Sequence, residues 1–250
     1  MSFLYPGGTA GITIGGHDLS EFSAKLLSSY TMGACGVEGA TFQGRNRSSL
    51  LLLDQRFSPM EIVLPLEFWG LNRQDTVAKW TSFCQAASGS VILDLGDGYE
   101  YACTLQDLGK PAFISDGYLT VDVTFLGFRQ KPEVVISTET EIGAAITCDS
   151  TFPRTDCIVT MPQALLRGAS RVSLELGDNS WYLAREFTAN EDLVLDGVNK
   201  IFLLGGKNIT GEMTWEDFPY LTPGENHVGI YINTIGVTRG VEIRYRPTFL

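Results

Sequence analysis

Most of the chain consists of short stretches in which apolar and polar residues alternate, separated by turn dipeptides, and that period of two predicts antiparallel strands. The longest, Tyr118-Leu-Thr-Val-Asp-Val-Thr-Phe-Leu-Gly-Phe, alternates β-branched and aromatic residues with polar ones. It predicts a central strand with one buried face. Within residues 54–69, Ile62, Leu64, Leu66 and Phe68 share one parity, while Pro59 and Pro65 interrupt the ladder and predict an edge or bulge. Three Asp-Gly pairs predict tight turns taken at positive φ: Asp97-Gly98 between residues 90–95 and 99–105, Asp116-Gly117 between 111–114 and 118–128, and Asp196-Gly197 between 192–195 and 200–204.

A period of three and four appears once, at Val77, Trp80, Phe83, Cys84 and Ala87, with Asn72 or Asp75 as its cap and Ser88-Gly89 as its end. It predicts a single helix whose apolar stripe lies on the sheet. Proline, charges and small polar residues follow the long strand and predict a domain junction near residues 132–141. The expected domains are therefore 1–135 and 136–250. Eight short strands with no helix follow: 157–161, 171–176, 181–187, 192–195, 200–204, 212–218, 227–232 and 241–246. Their number and spacing suit a β-sandwich.

Composition narrows the function. Eighteen Lys plus Arg against 29 Asp plus Glu give a formal charge of −11, which opposes a grip on nucleic-acid phosphates. A surface that repels phosphate does suit a passage through which nucleic acid slides. No run approaches the ~18 consecutive apolar residues of a membrane helix, and residues 1–16 lack the basic start and apolar run of a signal peptide. The expectation is a protein that folds in the cytoplasm where it is made, without membrane insertion. Cys35, Cys84, Cys103, Cys148 and Cys157 are scattered and odd in number, which indicates buried thiols and neither a disulfide framework nor a zinc site.

Catalytic motifs are absent from the sequence: there is no H-E-x-x-H, G-x-S-x-G, Walker or dinucleotide-binding pattern, and only two histidines, His17 and His227. No catalytic, metal or cofactor-binding residue is therefore assigned. Asp94, Asp97 and Glu100 surround one hairpin; they could form a calcium site or a glycosidase carboxylate pair, but turns recruit Asp for backbone reasons. Trp181, Tyr182 and Trp215 are candidates for stacking on sugar rings, with core packing as the competing role. Gly44-Arg45-Asn46-Arg47 concentrates two cations in an acidic chain and is a candidate subunit contact through pairing with carboxylates.

Several of these segments together resemble the distal tail protein family of long-tailed, non-contractile bacteriophages. In the first half they are Ile12-Thr-Ile-Gly-Gly-His-Asp-Leu-Ser-Glu-Phe, the Gly44-Arg45-Asn46 loop, the extended pair through Phe68, the single helix, and the hairpin and strand that follow it. In the second half they are Asp192-Leu-Val-Leu-Asp, Gly205-Gly-Lys-Asn, Trp215-Glu-Asp-Phe-Pro-Tyr-Leu-Thr-Pro-Gly-Glu-Asn and the closing Ile243-Arg-Tyr-Arg-Pro-Thr-Phe-Leu. The resemblance implies a mainly β chain: an N-terminal β-sandwich with one α-helix and a long hairpin, then a C-terminal galectin-like β-sandwich.

It also implies a structural, non-enzymatic role. Six copies form a ring at the virion tail tip, with the first domain as the ring and a channel for DNA at its centre. The ring joins the tail tube protein to the tail-associated hub or lysin protein, and the second domain projects outward toward receptor-binding or other baseplate proteins. Gly44, Arg45, Asn46, Arg47, Asp54, Phe57 and Asp97 are the expected subunit-interface residues. The alternative is a carbohydrate-binding adhesin that uses Trp181, Tyr182 or Trp215 at the host surface.

Overall fold

The computed structural model describes residues 11–42, 51–138, 144–187, 191–233 and 240–250. The chain divides into two compact units, residues 1–130 with Leu250, and residues 131–249.

The first unit opens with β1 (Thr13–Ile14), β2 (His17–Asp18) and a 3-10 turn at Leu19–Phe22. Asp18 caps that turn through the Ser20 N–H, and Glu21 accepts from the Asp18 N–H in return, which closes a capping box. There follow β3 (Ala24–Leu26), β4 (Thr31–Met32), β5 (Gly36–Phe42), β6 (Leu51–Ser58), β7 (Met60–Trp69), α1 (Arg73–Ala87), β8 (Ser90–Asp94), β9 (Glu100–Asp107), β10 (Ala112–Ser115) and β11 (Tyr118–Gln130). The strands pair antiparallel in the order β2-β1-β8-β9-β11-β7-β3, with β10 beside β11 and β4 beside β7. β5 and β6 form a separate two-stranded ribbon.

The long strand is central, as its alternation predicts. β11 runs in unbroken register along β7, from Tyr118 opposite Trp69 to Gly127 opposite Met60. Ile62, Leu64, Leu66 and Phe68 thus share a face with Leu119, Val121, Val123 and Phe125, and all eight are buried. The sheet curls so that Ile14, Leu93 and Tyr101 from its other wing join the same core. α1 lies over this core: Phe68 meets Trp80 and Phe83 edge-on at 5.2 and 5.3 Å, and Phe22 meets Phe83 at 5.7 Å. Asn72 caps the helix by accepting the Asp75 N–H at 3.0 Å. Asp75 instead accepts the Leu71 N–H and pairs with Lys79, which together hold its carboxyl below the usual range.

Pro65 is not on an edge strand. β7 is flanked by β11 on one side and by β3 and β4 on the other, and Pro65 falls in the gap between the two short strands, where no ladder N–H is required. Its carbonyl faces the same gap and accepts the Leu27 N–H at 2.8 Å. The Asp-Gly turns also separate by cause. Gly98 has φ +84°, but Gly117 and Gly197 lie outside the left-handed region. There the requirement is space, since a Cβ at Gly197 would stand 2.0 Å from the Pro219 carbonyl oxygen, and one at Gly117 would stand 2.7 Å from that of Gly70.

The second unit begins earlier than its composition suggests. Residues Val134–Thr138 form a strand, β12, that pairs with a strand near the chain's end, so the division falls after Gln130 and not after residue 135. The unit continues with β13 (Ala144–Cys148), β14 (Thr155–Met161), a short helix α2 (Gln163–Leu166), β15 (Arg171–Leu176), β16 (Asn179–Ala184), β17 (Leu193–Asp196), β18 (Ile201–Leu204), β19 (Lys207–Asn208), β20 (Thr214–Trp215), β21 (Tyr220–Leu221), β22 (Gly224–Ile232) and β23 (Val241–Tyr245). One sheet runs β12-β23-β14-β17-β18-β19, with β21 beside β14, and the other runs β13-β22-β15-β16-β20. Their inward residues share one core, including Val159, Leu174, Trp181, Leu195, Phe202 and Ile243. α2 escapes a sequence reading because it is one turn long; Leu165 and Leu166 anchor it, and Asp192 accepts its first N–H, that of Gln163, at 2.8 Å.

One of the tight approaches in the first unit is at Gly127, where a Cβ would stand 2.3 Å from Cys103 Sγ and 2.6 Å from the Ala102 carbonyl oxygen. Gly127→Ala is expected to destabilise the protein by about 1–3 kcal/mol through overpacking. Gly211→Ala, where a Cβ meets open space, leaves stability unchanged. Thermal unfolding of the two variants beside the parent checks this.

Candidate functional site

The acidic hairpin between β8 and β9 spends its carboxylates on itself. Asp94 accepts the Gly96 N–H at 2.8 Å, and Asp97 accepts the Tyr99 N–H at 3.0 Å and the Tyr101 hydroxyl at 2.5 Å. Tyr101 is fully buried, and burial first, then this hydrogen bond, pushes its ionisation far above the ordinary range for a phenol. Among the described residues no group of His, Cys, Asp and Glu is arranged to hold a metal ion. His17 sits on the surface and bonds Glu21 at 3.0 Å, and His227 is exposed beside Glu225. Asp97 thus fixes the hairpin's shape, and Asp94 the turn that precedes it.

Two of the three sugar-stacking candidates face inward. Trp181 is 1% exposed and donates its indole N–H to the Asp217 carbonyl at 2.8 Å. Trp215 stands opposite Trp181 in the β16–β20 pair and packs against Phe202 and Phe218, with centroids 5.5 and 4.6 Å away. Strand parity turns both rings toward the core, Trp181 fully buried and Trp215 partly buried against it. Tyr182, one residue on, has the opposite parity and is 41% exposed.

Around Tyr182 the outer face of the second sheet forms an open groove of about 480 Å3, lined by Arg171, Ser173, Tyr182, Tyr231 and Asn233 with Ile230 and Ile232 beneath. The register explains the grouping: Ser173 of β15 stands between Tyr182 of β16 and Tyr231 of β22. Asn233 is held by its neighbours, accepting the Ser170 and Arg171 N–H groups and donating to the Ser170 hydroxyl. Tyr231 donates to Glu175 at 3.3 Å. Tyr231, Arg171 and Asn233 are invisible as a group in the sequence. Only the pairing of three strands brings them together.

Of the expected interface residues, Gly44, Arg45, Asn46 and Arg47 lie outside the described residues. Asp54 is on β6. Phe57 is opposite Val37 in the ribbon and helps to line an apolar cavity of about 240 Å3 with Met32, Cys35, Met60 and Tyr101.

The motif that most marks the second half of the sequence is structural. Asn226 is buried; its side-chain oxygen accepts the Thr222 N–H and hydroxyl, and its amide donates to the Thr222 and Gly224 carbonyls. The Pro219 carbonyl accepts the Cys157 N–H, and the Asp217 carbonyl takes the Trp181 indole. The Trp215-to-Asn226 segment is thereby tied to both sheets of the sandwich.

No protein-family model matches the sequence. No curated protein matches it either. Solved structures do: the Dit protein of phage SPP1, described as a paradigm of the hub adsorption apparatus of phages infecting Gram-positive hosts, is 12% identical with a TM-score of 0.70, covering 96% of this chain and 98% of that one. The chain has the fold of that Dit protein. The baseplate of phage p2 in its activated conformation is also similar, with Sr at TM-score 0.53 and with Ca at 0.51, each at 9% identity and 92% coverage of both chains.

In this Dit-like chain the thiols are set for packing. Burial pushes Cys103 up to about 12, raises Cys157 further, and raises Cys35 and Cys84. A raised thiol pKa leaves little thiolate at pH 8. Cys103 and Cys157 are therefore expected to resist an aromatic disulfide reagent in the native protein, while all five cysteines react in denaturant. Asp97→Ala is expected to cost about 1–3 kcal/mol by leaving the buried Tyr101 hydroxyl without its acceptor, read from the denaturant midpoint.

Proposed function

We propose that the protein is a structural hub of a phage tail tip, without enzymatic activity. The observation that carries this reading is the fold likeness to the SPP1 Dit protein, which extends over 96% of the chain and so takes in both units. Six copies form a closed ring through the first unit, and DNA passes through its centre without specific binding. A head-to-tail contact in a closed ring joins two different surfaces of each copy, and Gly44, Arg45, Asn46, Arg47, Asp54, Phe57 and Asp97 contribute to them. The net charge of −11 supports a passage that does not retain phosphate. The ring joins the tail tube protein to the tail-associated hub or lysin protein, and the second unit takes receptor-binding or other baseplate components. It assembles in the host cytoplasm and ends in the virion.

Light scattering over a concentration series, with negative-stain images of the largest species, is the test. A six-fold ring with an open centre is expected. A monomer at every concentration, persisting when the tail tube and hub proteins are added, overturns the reading. Arg45→Glu combined with Arg47→Glu is expected to lower the ring fraction at least tenfold at a fixed concentration, which corresponds to about 1.4 kcal/mol.

A further inference from the structure

We propose that the groove on the outer face of the β22-β15-β16 sheet is a saccharide-binding site, with Tyr182 and Tyr231 as stacking platforms and Arg171 and Asn233 as the polar groups that read hydroxyls. This inference rests on the second unit alone and does not depend on ring formation.

The outer face is organised in rows. Antiparallel pairing puts Tyr182, Ser173 and Tyr231 side by side, one on each strand. Neighbouring strands are about 4.8 Å apart, so the two tyrosine backbones stand about 10 Å apart with a small hydroxyl residue between them. The space above Ser173 is therefore open, walled by two aromatic rings. The rings are 41% and 45% exposed. An aromatic face flanked by hydrogen-bonding groups matches a sugar ring, whose C–H face is apolar and whose rim carries hydroxyls.

The polar groups lie in the adjoining rows. Ala184 and Arg171 are paired on one side of the tyrosine row, with Asn233 just past the end of β22; on the other side are Ser180, Glu175 and Gly229. The Arg171 side chain makes no ion pair with any described residue, and its planar guanidinium offers several donors. Asn233 is fixed before any ligand arrives, because the Ser170 and Arg171 N–H groups and the Ser170 hydroxyl hold its amide. Glu175, in the adjoining row, accepts the Tyr231 hydroxyl at 3.3 Å and so helps to fix that ring. Gly229 completes the shape: a Cβ there would stand 3.0 Å from a Glu175 oxygen and 3.3 Å from the Tyr231 ring. Its absence lets both side chains lie down along the strand. The groove's 480 Å3 is within the usual range for small-ligand sites.

A protein partner would be served by a larger dry surface than this; a mixed row of exposed tyrosines, a guanidinium with no ion pair among the described residues and a prefixed amide is the chemistry that orients a polyol. The site is distinct from the tryptophans of the same unit, both of which face the core.

The experiment uses the full chain, fluorescently labelled, on an array of microbial cell-surface oligosaccharides, followed by titration calorimetry with the strongest hit. Binding to a restricted set of glycans is expected, with at least a tenfold loss on Tyr182→Ala and on Arg171→Ala. Tyr182→Phe keeps the stacking face and is expected to bind within a few-fold of the parent. Circular dichroism and light scattering of each variant establish that fold and assembly are intact. Retention of glycan binding in Tyr182→Ala combined with Tyr231→Ala overturns the assignment, as does failure of the folded parent to bind any saccharide on the array. A ring that binds no glycan overturns this site and leaves the hub reading standing; a glycan-binding monomer does the reverse.

Discussion

Successive side chains of a strand point to opposite faces, and the β7–β11 ladder turns that rule into the core of the first unit. Because the register from Tyr118–Trp69 to Gly127–Met60 has no slip, eight apolar side chains fall on one face without exception. A shift of β11 by one residue would bring Asp122 and its threonines into the core, and a shift of β7 would bring Glu61 and Glu67. The helix, the 3-10 turn and the far wing of the sheet all close on the face that this register defines. Where β9 joins, Gln106 is the extra residue of a bulge between Leu105 and Asp107, and where β10 joins, Ile114 is extra between Phe113 and Ser115, so the irregularities beside β11 are on its neighbours and the central pair stays regular.

The same alternation explains what could be read from the sequence and what could not. The long strand, the capped helix and the hairpins were legible because each signal is local: a period, a cap, a turn dipeptide. Pro65 was legible as a ladder defect, but its place in an interior strand depends on two short partners, β3 and β4, that carry almost no periodic signal. β12 was hidden because Pro132, Glu133 and the polar residues after Thr138 give its surroundings the composition of a linker. Its partner is more than a hundred residues away. Gly197 looked like a φ requirement and is a volume requirement, which no local window reveals.

The aromatic residues of the second unit make the point most sharply. Trp181 and Tyr182 are adjacent, so a strand sends them to opposite faces, but the sequence does not say which face is buried; the fold places the first in the core and the second over the groove. Tyr231, some fifty residues on, becomes its neighbour only through β15. Likeness to solved structures at 9–12% identity is likewise a likeness of arrangement. The buried Asn226, with its whole amide satisfied inside one turn, shows why a conspicuous motif need not be a site: three of its four hydrogen bonds hold backbone and the fourth takes the Thr222 hydroxyl.

The broken flank of β7 has a consequence for assembly. A sheet edge with a continuous run of free N–H and C=O groups invites a strand from another molecule, and repeated addition of that kind leads to aggregates without limit. Here that edge consists of a three-residue and a two-residue strand, with a proline facing the interval between them. An incoming strand would find no row long enough to zip along. On this flank backbone pairing with a second molecule is closed off, which leaves only side chains to make contact there.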